Sequence, residues 1–390
     1  MKRLLGSYLF TTTCSWIAAF VVPLAILSLT NSAVWTALTY AATMLPYLVV
    51  TPFAGVWSDR YSKRRFLIGG DIVSICLSVA IYLAMTRLTG GQAAMTLLFL
   101  AFASASVSAV HHPMFQSIAP EMMDEGALAK FNSLVYAFDN TTYIAAPALV
   151  AVMMGHFLAS DIVLFCTVGF ALSVPLLWFL PGLPVSRGRG AGVFAELAEG
   201  IRYVVRDRNL FSFSVLFACV NFGLSIIGAN LIFIYTAIYG IKQDAVGYYY
   251  TIVGAGAVVG SLGAPWLMKR IGDANLIILC CLSAGIVALV AAGAPTAAVF
   301  AVEWALATGA LSAVVVTFFT LRQRVVPATL LGRTVGVTRF ISYAAIPPAS
   351  ILGGVIMDRF RSEAAVMGIG GAVIIAGSVL AMRAPAFQRR

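Results

Sequence analysis

The sequence predicts an all-α integral membrane protein with twelve transmembrane helices in two pseudo-symmetric six-helix bundles. Three observations predict it. The 390 residues are 61% hydrophobic and 10% charged, against roughly 45–50% and about 25% in soluble domains, and the mean hydropathy is +0.95. So much apolar side chain cannot be hidden in a water-soluble globule of this size, whose surface stays largely polar. The apolar residues also fall into runs of about 20, the length a helix needs to cross the hydrocarbon core, and the basic residues collect in alternate loops.

The first six runs lie near 8–29, 34–57, 66–87, 92–116, 131–154 and 161–180. After a polar stretch come 210–239, 246–268, 274–293, 296–320, 334–357 and 364–382. The opening Met1-Lys2-Arg3 resembles the start of a signal peptide, but the run from Tyr8 to Leu29 exceeds an h-region of about 7–15 residues and lacks a small-residue cleavage site. It is read as a retained first span. An even number of spans puts both termini on one side, and twenty of the 25 Lys and Arg residues fall on that side. The opposite side has Arg87, Lys242, Arg359 and Arg361, while Arg339 falls within a span. The termini are therefore expected in the cytoplasm, and the net charge of +10 reads as topology rather than as a nucleic-acid surface.

Three segments follow: an N-terminal bundle over 1–181, a connector over 182–209 and a C-terminal bundle over 210–390. The connector follows Pro181 and opens on Gly182-Leu183-Pro184. It continues with Phe194, Leu197, Ile201 and Val204 at three- and four-residue spacing, the pattern of an amphipathic helix on the membrane surface. The halves echo one another: Gln116 and Pro120 end span four as Gln323 and Pro327 end span ten, and Pro147 in span five answers Pro348 in span eleven. Duplicated transporter halves produce such echoes. The six cysteines, at 14, 76, 166, 219, 280 and 281, lie in apolar runs without CxxC or ligand spacing, and read as small buried hydrophobes.

The loop between spans two and three reads Gly55-Val56-Trp57-Ser58-Asp59-Arg60-Tyr61-Ser62-Lys63-Arg64-Arg65. Here the chain resembles the major facilitator superfamily, whose signature in this loop is Gly-x-x-x-Asp-Arg-x-Gly-Arg-Arg. Gly55, Asp59, Arg60, Lys63 and Arg64 fall in register, and Ser62 replaces the second glycine. Gly55 lets two helices approach, and Asp59 can meet a helix N-terminus or a basic side chain when the cytoplasmic side closes. The run from Glu199 to Val204 and Gly69-Gly70-Asp71 are similar to the macrolide-efflux and enterobactin-exporter-like branch. Asp71, near the start of span three, reads as an N-terminal stabiliser or part of the same cytoplasmic gate. Span five keeps Pro147 of the family's exporter motif and loses its glycines, and span four lacks the arginine of many proton antiporters.

An ionisable side chain at mid-helix costs roughly 2.5–3.5 kcal/mol on the insertion scale, so each calls for a partner or a task. Asp139 sits about 11 Å into span five at 1.5 Å per residue, beside Asn140, Thr141 and Thr142. Glu303 lies in span ten, one of the four helices that line the central cavity in the proteins this chain resembles. Either could load a proton on one side and release it on the other, the alternative being a structural ion pair or hydrogen-bonded acid. Arg339 in span eleven reads as a buried partner of a carboxylate or as a fixed site for an anionic substrate. His111 and His112 are neighbours on a helix and point about 100° apart, so they do not chelate one ion; a structural or polar-lining role is expected. Trp16, Tyr40, Phe115, Tyr136, Asn221, Asn230 and Trp304 could line a pocket for a bulky amphipathic solute, or simply pack.

The reading that joins these features is a secondary-active exporter of small amphipathic molecules, of drug or siderophore type, working by alternating access and proton antiport. The alternative is an importer or facilitator of an anionic metabolite or lipid. No enzyme is expected, because the scattered acids and histidines form no catalytic constellation. No Gly-Lys pair occurs, so the chain carries no GxxxxGK[ST] phosphate loop of its own. The expected partners are a small-molecule substrate, protons and the lipid bilayer, with no nucleic acid. No cofactor or metal is expected beyond the proton gradient as energy source, and the chain is expected to be a monomer in a bacterial inner membrane.

Overall fold

In the computed structural model the described residues are 2–50, 62–122, 125–180, 201–326 and 328–383, with some side chains within 113–140 and 322–335 outside the description. Among them thirteen helices have fifteen residues or more. These are α1 (Lys2–Thr30), α2 (Ala33–Val49), α3 (Lys63–Arg87), α4 (Gly90–Met122), α5 (Glu125–Met154), α6 (Ala159–Trp178), α7 (Arg208–Gly228), α8 (Val246–Ile271), α9 (Asp273–Ala291), α10 (Ala297–Val325), α11 (Ala328–Tyr343), α12 (Ile346–Phe360) and α13 (Glu363–Ala381). Ten segments are long and apolar enough to cross a membrane, with α7 extended to Ile238 and α11 and α12 counted as one over Gly336–Phe360. The shorter apolar stretches Ala33–Val49 and Thr141–Met154 supply the other two of the twelve spans.

The helix ends follow from local chemistry. Asn31 takes a left-handed backbone (φ 47°) between α1 and α2, and the Ser32 side chain then accepts the Trp35 N–H at 3.4 Å. The Asp207 carboxylate accepts the Asn209 and Leu210 N–H groups at 2.9 and 3.0 Å, starting α7. Asp207→Ala removes both bonds, and a destabilisation of about 1 kcal/mol is expected, read as a lowered melting temperature in detergent. The Ser362 hydroxyl caps α13 on the Ala365 N–H at 3.1 Å. Between α8 and α9 the chain turns at Gly272, whose φ of 80° suits a residue without Cβ.

The chain forms two compact units. The first comprises Met1–Arg189 with Lys242–Tyr248, the second Gly190–Ile241 with Tyr249–Arg390. In the first, α1 packs against α2, α4, α5 and α6, and α3 against α4 and α6. Its core joins Leu4, Tyr8, Leu67, Met114, Phe115 and Phe131, side chains from four different helices. In the second, α7 packs against α11, α12 and α13, and α9 against α10 and α13. Small residues permit the closest approaches: a Cβ on Gly256 would meet the Ala305 carbonyl, and one on Gly260, a turn later, the Gly309 carbonyl. Backbone-to-backbone contact of this kind replaces the hydrophobic force that lipid cannot supply between helices. Large apolar side chains point outward instead, with Val259 at 71%, Leu262 at 75% and Phe99 at 68% exposure, as they do where the surrounding solvent is hydrocarbon.

Two spans differ from the sequence expectation. Span eleven is broken, α11 ending at Tyr343 and α12 starting at Ile346, because Pro347 and Pro348 fit the first turn of a helix and not its interior. Span seven, after Gly228, continues through Leu231–Phe233 into a π-helical turn over Ile234–Ile238. In the connector, residues 201–206 are helical, with Val204 buried and Ile201 and Val205 exposed; Phe194 and Leu197 lie outside the described residues.

Candidate functional site

The first unit brings three polar side chains from three helices into one chain of hydrogen bonds. Tyr8 on α1 is almost wholly buried, its ring stacked on Phe115 at 4.2 Å between centroids. Its hydroxyl donates to Asp139 Oδ1 on α5 at 2.7 Å and lies 2.9 Å from His112 Nδ1 on α4. A phenol has one proton to give. With that proton on the Asp139 bond, the Tyr8 oxygen accepts and His112 Nδ1–H donates. The result is a wire, His112 to Tyr8 to Asp139, along which a proton added at one end is matched by reversal of the bonds between.

Asp71 occupies a second polar cluster. Read from the sequence as an N-terminal or gate acid, it stands two turns inside α3, which begins at Lys63, and is completely buried. Gate chemistry at the helix end is therefore not its environment. Oδ1 accepts from the Thr11 hydroxyl at 3.0 Å and Oδ2 from the Ser173 hydroxyl at 2.5 Å. Ser7 lies 2.7 Å from Ser173. His111 Nε2 comes within 3.3 Å of Oδ1. The adjacent histidines thus face different partners, His111 the Asp71 carboxylate and His112 the Tyr8 hydroxyl, in keeping with their angular separation on a helix.

Of the cytoplasmic loop, Gly55, Asp59 and Arg60 lie outside the described residues. Lys63 opens α3 and is half-buried. Arg64 donates to the Leu180 carbonyl at 2.8 Å and stands over the Trp178 ring at 5.9 Å, so at least one base of that run ties α3 to the end of α6.

The proposed cavity residues divide. Phe115 is fully buried between Tyr8 and Phe131, which makes it core rather than cavity wall. Trp16 is partly exposed and meets Tyr143 edge-on at 5.0 Å, and Tyr40 is half-buried. The Tyr136 side chain lies outside the described residues. In the second unit, Trp304 and Asn230 are buried, whereas Asn221 is half-buried. Both asparagines return their amide N–H to the carbonyl four residues back, at 2.9 Å. Glu303 is half-buried, with Oε2 shielded and without a hydrogen-bond partner among the described residues. Arg339 is exposed and so is not the buried partner of a carboxylate: α11 turns Thr334, Thr338 and Ser342 inward at four-residue spacing, which leaves position 339 on another face.

Sequence reasoning missed Tyr8, Thr11, Ser7 and Ser173. Hydroxyls are common in apolar helices, and nothing local marks these four. Ser7, Tyr8 and Thr11 share the first half of α1 with Thr12, Thr13 and Ser15, so composition does not single them out.

A sequence profile described as "Major Facilitator Superfamily" matches residues 4–349. The chain is 24% identical over 376 residues to the multidrug efflux pump Tap of Mycobacterium tuberculosis, covering 94% of this chain and 88% of that one. It is 23% identical over 268 residues to the staphyloferrin A transporter of Staphylococcus aureus, covering 67% and 66%. It is 22% identical over 192 residues to macrolide efflux protein A of Streptococcus pyogenes, covering 47% and 45%. Among solved structures, nucleoside transporter NupG superposes with a TM-score of 0.76 at 14% identity, over 99% of this chain and 98% of that one. At that identity the likeness is one of fold.

Proposed function

Because the chain belongs to the Major Facilitator Superfamily, a family of transporters and not of enzymes, we propose that it exports small amphipathic molecules of drug or siderophore type by alternating access, in exchange for protons. The observation that carries the proton exchange is the wire from His112 through the Tyr8 hydroxyl to Asp139. A carboxylate whose hydrogen bond leads directly to an imidazole has somewhere to send its proton and a titratable neighbour to feel the change. The kinds of solute follow from relatives whose names specify multidrug efflux, macrolide efflux and staphyloferrin A transport. Glu303, with its unpartnered carboxylate oxygen, is the second proton carrier to test. In this reading the protein is a monomer in a bacterial inner membrane with both termini in the cytoplasm, as its basic loops favour, and needs no cofactor beyond the proton gradient.

The test is proton flux in proteoliposomes under an imposed pH gradient, followed by an internal pH dye on addition of macrolides, dyes, or catecholate and hydroxamate siderophores. Asp139→Asn and Glu303→Gln run alongside. The expected result is substrate-dependent proton movement that Asp139→Asn abolishes. Substrate movement with no proton signal, unchanged in both variants, rejects antiport and leaves a facilitator.

A further inference from the structure

We propose that the first unit, at the end that carries the N-terminus, holds a binding site for an anionic phospholipid, with the phosphate at Arg3 and Arg64 and an acyl chain along the outer face of α6. Two guanidinium groups from different helices reach neighbouring carbonyls there. Arg3 on α1 donates to the Phe179 carbonyl at 3.2 Å and stands over the Phe179 ring at 5.7 Å. Arg64 on α3 donates to the Leu180 carbonyl at 2.8 Å and stands over the Trp178 ring at 5.9 Å. Trp178 and Phe179 are themselves 60% and 66% exposed, so the rings hold both guanidinium groups at the surface of the unit rather than in its core.

The charge gathered there is not balanced. Among the described residues neither arginine has an acid within ion-pairing distance. The C-terminal end of α6 supplies roughly half a negative charge, against two whole positive ones. Lys2 and Arg65, next in sequence to the pair and exposed, add to the excess. A guanidinium carries five N–H donors in a planar fork that matches a phosphate, and the carbonyl takes only one bond from each arginine. A zwitterionic headgroup brings its own ammonium and leaves the excess standing, whereas an anionic one removes it.

What leads up to the arginines identifies the phosphate as a lipid's. On α6 and its cap, Phe165, Val168, Leu172, Pro175 and Phe179 are all exposed, and their spacing of three and four residues puts them on one face. An apolar track therefore runs along the helix and ends at the ring beneath Arg3. A soluble phosphate makes no use of such a track. A phospholipid uses both parts, its chain on the track and its headgroup at the arginines, with Trp178 at the level where tryptophan gathers in membranes. Basic side chains at this level attract anionic lipid; here two of them are held in place by backbone bonds rather than left to sample the surface.

The test is native mass spectrometry of the full-length protein in detergent, titrated with dioleoyl phosphatidylglycerol or with dioleoyl phosphatidylcholine, which has the same chains and no net charge. At roughly fivefold per basic residue, the anionic lipid is expected to bind about 25-fold more tightly than the zwitterionic one. Arg3→Gln and Arg64→Gln are each expected to weaken it about fivefold and to leave phosphatidylcholine unchanged. Arg270, which stands over Trp266 at 5.4 Å in the second unit, supplies the control: Arg270→Gln should change neither. Equal binding of the two lipids overturns the proposal, as does a preference that survives both substitutions. A loss of the same size in Arg270→Gln makes the preference one of total charge and overturns it too, and displacement of the lipid by excess glycerol 3-phosphate makes phosphate alone the ligand. Arg3 is exposed, so Arg3→Gln, with its melting temperature as a check, decides the matter even where Arg64→Gln loosens α3 from α6. The readout is lipid retention and involves no transport, so failure here and failure of proton antiport are distinguishable.

Discussion

Tyr8→Phe is expected to reduce substrate-dependent proton movement in proteoliposomes by about 10²-fold or more, the scale on which a positioned proton-transfer group contributes, while leaving the protein folded. The substitution removes one oxygen. The ring keeps its stacking on Phe115 at 4.2 Å, so the core of the first unit is undisturbed. What disappears is the atom that both accepts from His112 and donates to Asp139, and the two titratable groups lose their connection. Proton flux with an internal dye measures the effect, and an unchanged melting temperature shows that it is not a folding defect. Full proton coupling in Tyr8→Phe would mean that Asp139 exchanges its proton with water directly and that the wire is only structural.

Gly260→Val is expected to destabilise the second unit by about 3 kcal/mol or more, at the upper end of overpacking costs. Most overpacked sites relax by moving a side chain, but here the obstructing atom is the Gly309 carbonyl, which is held in the helical ladder of α10. Relief requires α8 and α10 to separate, and that separation also loosens the contact at Gly256 and Ala305 one turn away. Gly263 on the same helix has open space where its Cβ would be, so Gly263→Ala serves as a control whose melting temperature should not fall. Equal melting temperatures for Gly260→Val and the unmodified chain would show that the two helices are not held at this distance.

Hydropathy made the spans legible because a bilayer imposes one length on every helix, and a run such as Ala159–Trp178 carries that length in its own composition. The break before Pro347 was less visible, since the apolar run passes through it unaltered. The depth of Asp139 could be counted from the sequence. Its partners could not, because Tyr8 is 131 positions away and His112 belongs to another helix; contacts across a bundle depend on rotation as well as depth. Asp71 was placed near a helix start because the preceding residues Lys63, Arg64 and Arg65 look like loop, yet they form the first turn of α3 and carry the acid two turns inward. In each case composition located the helix, and packing decided what its polar residues meet.

The neighbouring histidines of α4 also have a mechanical meaning. One ring is engaged by Asp71 on α3 and the next by Tyr8 on α1, in directions about 100° apart around the same axis. A helix gripped on one side can roll about that grip, whereas a helix gripped on two sides at one level cannot roll either way without loosening a contact. The rotation of α4 about its own axis is thereby fixed by two contacts on different sides, and a substitution at either histidine removes one of them.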